Sequence, residues 1–266
     1  RFSAIGDVIL ASFAVRLLRN RFPEAEIDFL VKADFNLLLA RHPLINNVIT
    51  YRGKERGEFF TLLKRLRKRK YDAVADLQSS MRSGLLRLFS GIPLKAVFHH
   101  QRLKRFFLVS WELDLYEKAV PVPLRFLAAL EKWGVKDDGK GLDFYVSEKA
   151  EQSINKLVSA AVQGNRKLIV LAPGAGIATK RCAVEGFAEI GKYYTEKGYL
   201  AVLTGGEGDH DICRKTEGII SGDVLNLCGE LNLQQTGAVL SRAELLVCND
   251  TGVMHMGAAL QIPLVA

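Results

Sequence analysis

The chain has 266 residues, 48% of them hydrophobic, with 37 Lys/Arg against 29 Asp/Glu and a net charge of +8. That is enough apolar material for one or two well-buried cores, and it argues against a disordered chain. Cys182, Cys213, Cys228 and Cys248 are widely spaced with no Cys-x-x-Cys pair, which argues against a disulfide framework or a zinc site and for a reducing cytosol. No apolar run approaches the roughly 20 residues needed to span a bilayer, and no signal peptide is visible.

The charge is uneven. Residues 1–150 hold 27 Lys/Arg against 17 Asp/Glu, while residues 151–266 hold 10 against 12. The basic half favours a polyanionic partner such as a nucleic acid, an anionic lipid or a phosphorylated glycolipid. Arg1 is not an initiator methionine, and 262–266 read as a strand cut off as it begins, so both ends are expected to be truncated.

In chain order, Gly6-Asp7 precedes a helical pattern with Leu10, Phe13, Ala14, Leu17 and Leu18 on one face, ending before Pro23. Alternation at Ile27, Phe29 and Val31 predicts a strand, and Val48-Ile49-Thr50-Tyr51 another. Glu58 to Lys70 reads as an amphipathic helix with Leu62, Leu63 and Leu66 inward. Its terminal cations form either a solvated face, which the macrodipole favours, or a binding patch. Tyr71 to Asp76 predicts a strand feeding Leu77-Gln78-Ser79-Ser80 and a helix with Arg82 and Arg87. There a carboxylate, hydroxyls and an arginine converge where open α/β sheets place ligands. From Lys95 to Phe107 basic and aromatic residues interleave, Arg102 among them. This segment fits an anionic membrane surface, a charged acceptor, or a loop with buried phenylalanines. His99 and His100 lack metal-ligand spacing. A helix near Pro123 to Trp133 leads into a polar, glycine-rich stretch, and a boundary near Ser147 divides the chain into domains 1–147 and 148–266.

The second half repeats the βα rhythm. Leu168 to Ala172 runs into Pro173-Gly174-Ala175-Gly176, with Lys180-Arg181 shortly after and a helix from about Val184. Leu200 to Thr204 runs into Gly205-Gly206-Glu207, and Leu225 to Cys228 supplies a further strand. Glycines admit close backbone approach and the cations suit phosphate charge, although the Gly-Lys-Ser/Thr ending of a Walker motif is absent. Glu207 is placed to accept from ribose hydroxyls or a base amine, or is an exposed turn carboxylate. Leu245 to Cys248 then leads into Asn249-Asp250-Thr251-Gly252-Val253-Met254-His255. Asp250 or Thr251 can cap a helix there, Gly252 opens the backbone to a ligand, and His255 shares a face with Thr251. Free amides at such a start welcome a phosphate, and an ordinary capped helix has the same pattern.

Ser3-Ala4-Ile5-Gly6-Asp7, Ala172-Pro173-Gly174-Ala175 with Lys180, Gly205-Gly206-Glu207-x-Asp209, Leu227-Cys228-Gly229 and Asn249-Asp250-Thr251-Gly252-x-x-His255, taken in this order, resemble glycosyltransferase family 9, the ADP-heptose:lipopolysaccharide heptosyltransferases. The resemblance implies a GT-B architecture: two Rossmann-like parallel-sheet domains facing a cleft, acceptor on the N-terminal one and nucleotide-sugar on the C-terminal one. It implies an inverting, metal-independent transfer of heptose from an ADP-activated donor to a lipopolysaccharide core acceptor, with Asp7 as general base and no cofactor beyond the ADP-sugar. Donor contacts fall on Thr179, Lys180, Glu207, Asp250, Thr251, Gly252 and His255, and acceptor contacts on Gly6, Gln78, Arg82 and Arg102. The implied partners are the nucleotide-sugar and an anionic glycolipid, at the inner face of the inner membrane, peripherally, without nucleic acid. Where the family usually has Trp-Pro after the lysine, this chain has Cys182-Ala183. The alternative is a non-catalytic nucleotide-sugar-binding or envelope-assembly module. A dinucleotide-dependent oxidoreductase lacks its Gly-x-Gly-x-x-Gly, and a nucleic-acid binder its module signature.

Overall fold

The computed structural model describes residues 1–53, 57–100, 102–116, 120–161 and 166–266, without the side chains of residues 102, 103, 105 and 159–161. By its contacts the chain forms two compact units. One holds Arg1–Ser3, Leu10–Asn36 and Pro43–Lys140; the other holds Ala4–Ile9, Leu37–His42 and Gly141–Ala266.

After α1 (Ile5–Leu10), the first unit is built from α2 (Ser12–Arg21), β1 (Asp28–Lys32), β2 (Asn47–Tyr51), α3 (Glu58–Arg69), β3 (Ala73–Asp76), α4 (Met81–Phe89), β4 (Leu94–Val97), α5 (Arg102–Trp111) and α6 (Val122–Leu130). Its strands pair in parallel as β1 with β2 and β3 with β4. A cavity of 740 Å³ lies in this unit, lined by residues of both pairs, including Leu30, Ile49, Ala75 and Leu77. Leu62, Leu63 and Leu66 bury the inner face of α3 against Phe2, Ile49, Tyr51 and Leu86, as the periodicity predicts. Its cationic end is partly tied down: Arg67 donates to the Phe89 carbonyl at 2.7 Å, and Arg69 pairs with Asp28 at 3.1 Å. Those two cations serve the fold.

The Lys95 to Phe107 stretch, expected as one interleaved segment, is divided between β4 and α5. Phe98 is buried in the unit while Phe106 is exposed.

The second unit continues with α7 (Glu148–Ala161), β5 (Leu168–Ala172), α8 (Val184–Glu196), β6 (Leu200–Leu203), α9 (His210–Ile219), β7 (Val224–Asn226), α10 (Leu233–Leu240), β8 (Ala243–Cys248), α11 (Gly252–Ala259) and β9 (Leu264–Val265). One five-stranded parallel sheet runs in the order β7-β6-β5-β8-β9. β5 is central and buried at every residue, which explains its unbroken run Leu-Ile-Val-Leu-Ala: a strand covered on both faces has no polar side to alternate with. Phe187 and Ala188 of α8 join Ile169, Leu171 and Leu203 in the core, where each large apolar side chain contributes about 1.5–3 kcal/mol.

The division between units runs at Lys140/Gly141, seven residues before the expected Ser147. The reason is local. Gln234 of α10 accepts from Ser147 N at 2.7 Å and donates to the Tyr145 carbonyl at 3.1 Å. A β-carbon on Gly237 would overlap the ring of Phe144. Residues 144–147 are thereby fastened to α10. Ala4–Ile9 also groups with the second unit, so Asp7, expected on the N-terminal domain, belongs by its contacts with the C-terminal motifs.

Candidate active site

In the five-stranded sheet the chain moves outward from β5 through β6 to β7, then returns to β8 on the other side of β5. The reversal makes the carboxyl ends of β5 and β8 the switch point, where open α/β sheets form a crevice for ligands. Three glycine-bearing tips lie along this edge: Pro173-Gly174 after β5, Gly205-Gly206 after β6, and Asn249 to Gly252 after β8.

Asn249 joins two of them. It is buried, its Nδ2 donates to the Pro173 carbonyl at 2.8 Å, and its Oδ1 accepts from Cys182 N at 3.0 Å. Cys182, standing where the family has tryptophan, is thus held through its main chain. Ala183 precedes α8 in an extended conformation without a side-chain cap. Arg181 donates to the Ala175 carbonyl at 2.8 Å, closing the loop that carries Thr179 and Lys180. Both lie in a single exposed 3-10 turn, Ala178–Lys180.

Lys180 Nζ reaches Asp250 Oδ2 at 2.5 Å, with both side chains about half exposed. That contact corrects the capping expectation. Thr251 is the residue preceding α11, in extended backbone, and no side chain caps the helix; the Asp250 carboxylate is turned to the lysine. A helix start without a side-chain cap suits an anion, because its backbone N–H groups and dipole favour negative charge there. Lys180 holds Asp250 below the usual carboxylate range.

His255 sits one turn into α11. Its imidazole packs on Gly6, where a β-carbon would overlap the ring, and one on Gly252 would stand 2.6 Å from Ile5 Cγ2. Two glycines therefore let α1 lie directly on the start of α11. Burial lowers the pKa of His255 below the ordinary histidine value, opposed by the carboxylates of Asp250 and Asp7. Asp7 Oδ2 accepts from Ala4 N at 3.3 Å at the start of α1. Asp7, Lys180, Asp250, Thr251, Gly252 and His255 are brought to one place.

Glu207 is exposed at the β6 tip and opens a 3-10 turn, Glu207–Asp209. The residue that fixes this turn, absent from the sequence-based site, is Asp209. Its Oδ2 accepts from Gly206 N at 2.9 Å, and its carboxylate lies so close to Gly174 that a β-carbon there would overlap it. Asn249 and Asp209 were both present in the quoted motifs. The signal that could have singled them out is a short polar side chain beside glycines at a strand tip, able to bond neighbouring backbone.

Of the expected acceptor residues, Gly6 lies against His255 in the second unit, while Gln78 and Arg82 belong to the first. Gln78 Oε1 accepts from Phe2 N at 3.0 Å, and the Arg82 guanidinium stands over the Tyr51 ring at 5.6 Å. The side chain of Arg102 lies outside the described residues. The convergence at Asp76 is real and is used internally: its carboxylate accepts from Gln78 N and Ser79 N and pairs with Arg87 at 3.3 Å, while Ser80 and Ser83 form a capping box on α4. Among the described residues no group of three His, Cys, Asp or Glu is placed to hold a metal ion. No helix among them is long and apolar enough to cross a membrane.

A family model described as glycosyltransferase family 9 (heptosyltransferase) matches residues 59–266. Lipopolysaccharide heptosyltransferase 2 of Salmonella typhimurium is 30% identical over 281 residues, covering 99% of this chain and 80% of that protein. The glycosyl transferase family 9 structure from Veillonella parvula superposes with a TM-score of 0.87 at 24% identity, over 100% of this chain and 78% of its own. The Escherichia coli ADP-heptose lps heptosyltransferase II structure gives 0.78 at 28% identity, over 99% and 82%. With two α/β units of parallel strands and a glycine-lined edge at the switch point, the chain has the GT-B architecture and belongs to glycosyltransferase family 9, the heptosyltransferases.

Proposed function

We propose that the protein transfers heptose from ADP-heptose to a lipopolysaccharide core acceptor with inversion, using no metal and no cofactor beyond the sugar nucleotide. Asp7 acts as general base. As the acceptor oxygen bonds to the anomeric carbon, its proton passes to the Asp7 carboxylate and the anomeric C–O bond to the diphosphate breaks. Negative charge then grows on departing ADP. Lys180, the first amides of α11 and His255 meet it, and donors fixed in advance stabilise such charge without reorganising. Glu207 lies on the nucleoside side, Thr179 adds a hydroxyl, and Asp250 is placed for sugar hydroxyls once Lys180 turns to the diphosphate. Gly6 with Gln78, Arg82 and Arg102 serves the acceptor. The enzyme works peripherally at the inner face of the inner membrane.

The observation that carries this reading is the packing of Gly6 on His255, which puts the proposed base beside the proposed leaving-group site. The names of the relatives support the donor and acceptor classes. A donor panel of ADP-, GDP- and UDP-heptose against a defined core glycolipid tests it. Transfer from the ADP-sugar alone is expected, and equal transfer from the GDP- or UDP-sugar would overturn the donor assignment.

A further inference from the structure

Among the described residues β1 pairs only with β2 and β3 only with β4, and the cavity of 740 Å³ in the first unit is lined by both β1 and β3. Hydrogen bonds show which main-chain groups point away from the paired edges. Just before β1, the Ile27 carbonyl accepts from Asn46 N at 2.8 Å. Alternate residues of a strand bond to the same side, so Phe29 and Val31 face β2, and Asp28, Leu30 and Lys32 face the opposite edge. In the second pair the Asp72 and Asp76 carbonyls accept from Leu94 N at 3.2 Å and Phe98 N at 2.9 Å, which turns Ala73 and Ala75 away from β4. Asp28, Leu30, Ala73 and Ala75 all line the cavity. Two open strand edges therefore border one space, which helices cover with Ala14, Val15 and Leu18 of α2, Leu66 of α3 and Leu86 of α4. Close-packed interiors rarely keep a void larger than a water molecule.

The chain itself enters this space at one end. Arg1 N donates to the Leu30 carbonyl at 3.1 Å and the Phe2 carbonyl accepts from Lys32 N at 3.1 Å, so Arg1 and Phe2 advance in the same direction as β1. Toward β3, Arg1 Nη1 donates to the Leu77 carbonyl at 2.9 Å and Phe2 N to Gln78 Oε1 at 3.0 Å. Burial lowers the Arg1 amine to a pKa of about 5; the place favours an uncharged N–H, which a peptide bond supplies. In the chain α2 stands between Phe2 and β1, where a pair of parallel strands needs its crossover helix.

We propose that the cavity is a strand site, filled by an apolar segment of about five residues, the length of β1, joined to the amino side of Arg1 and paired in parallel with both β1 and β3. The first unit then holds one five-stranded parallel sheet, with the added strand between β1 and β3. The bonding selects the occupant. Facing rows of backbone donors and acceptors take an extended strand, and a strand covered on both faces is a continuous apolar run. The direction at Arg1 and the crossover through α2 select a strand of this chain over one from a partner. The inference concerns the sheet of the first unit and does not rest on the transfer chemistry.

Two chains test it, one carrying Met-Lys-Val-Ile-Leu-Val-Ile ahead of Arg1 and one carrying Met-Lys-Gly-Ser-Gly-Ser-Gly. If the apolar extension precipitates, Met-Lys-Val-Thr-Leu-Thr-Val replaces it. Amide hydrogen exchange at Leu30, Ala73 and Ala75 should be slower by at least about tenfold with the apolar extension than with the Gly-Ser one. The melting temperature should rise, and both chains should elute alike on gel filtration. Equal exchange at those three amides overturns the proposal. So does protection that appears only with a change in oligomeric state, which would put a partner's strand in the slot. These readouts need no substrate, so loss of transfer with the strand seated would count against the catalytic reading alone.

Discussion

His255 rests its imidazole on Gly6, leaving no room for a β-carbon between ring and backbone. The contact ties the first turn of α1, with Asp7, to the first turns of α11, which carry Thr251, Gly252 and His255 at the proposed leaving-group site. A methyl group at Gly6 must push the two apart. Gly6→Ala should therefore lower transfer by about 100-fold, the order of loss expected from a misplacement near 1 Å. Overpacking of this kind costs about 1–3 kcal/mol of stability. Steady-state kinetics beside urea melts check this; full activity would show that the contact positions nothing.

Lys180 and Asp250 offer a sharper separation of binding from folding. Their ion pair is exposed on both sides, and such pairs contribute at most about 1 kcal/mol. Lys180→Met should leave the melting transition nearly unchanged while weakening ADP binding by roughly 10- to 100-fold, the worth of a hydrogen bond to a charged group. Asp250→Asn frees the lysine and removes a negative charge, so ADP binding should hold or tighten while ADP-heptose loses its advantage over ADP. Calorimetric titration with both ligands reads the ratio directly.

Asn249 is a matter of stability first. Replacing it by Ala leaves the Pro173 carbonyl without this partner in a buried place and releases the main-chain N–H of the exposed Cys182. An unsatisfied buried group costs about 1–3 kcal/mol, so Asn249→Ala should lose about 1–3 kcal/mol in denaturant unfolding. A loss below about 0.5 kcal/mol would mean that the β5 and β8 tips are held by other contacts.

His255 sets a pH dependence. Because burial depresses its folded-state value below 6.5, the unfolded chain takes up a proton at higher pH than the folded one. Stability from the neutral imidazole is full above pH 6.5 and declines as pH falls from there toward the lowered folded value. His255→Gln should flatten the stability curve across that window. An unchanged slope in the variant would assign the titration to another group.

Much of this was legible because parallel α/β sheets write themselves in continuous apolar runs. Leu168 to Ala172, Leu200 to Thr204 and Leu245 to Cys248 read as strands, with their glycine tips as an edge, and the structure has strands there, the second ending at Leu203. α9 and α10 escaped, since His210-Asp211 follows a glycine loop without a break, and α10 is largely buried and so carries only a weak polar stripe. The dual use of side chains was also hidden. Asp76 and Arg87 look like a ligand site in sequence, yet the Asp76 carboxylate is taken up by Arg87 and by the Gln78 and Ser79 amides. Asp250 looks like a cap and pairs with a lysine 70 positions earlier. Neither outcome is set by local spacing. The placement of α1 on α11 depends on two glycines, Gly6 and Gly252, far apart in the chain and close only after folding.

Asp7 carries the central claim, and one measurement bears on it most directly: acceptor-dependent release of ADP from ADP-heptose by the wild type and by Asp7→Asn, with ADP affinity measured on the same samples. A neutral amide of nearly the same shape cannot take the acceptor proton, and general-base catalysis contributes about 100- to 10,000-fold. The account predicts ADP release slower by at least about 100-fold with ADP affinity intact. Turnover in Asp7→Asn within a few-fold of wild type would contradict it.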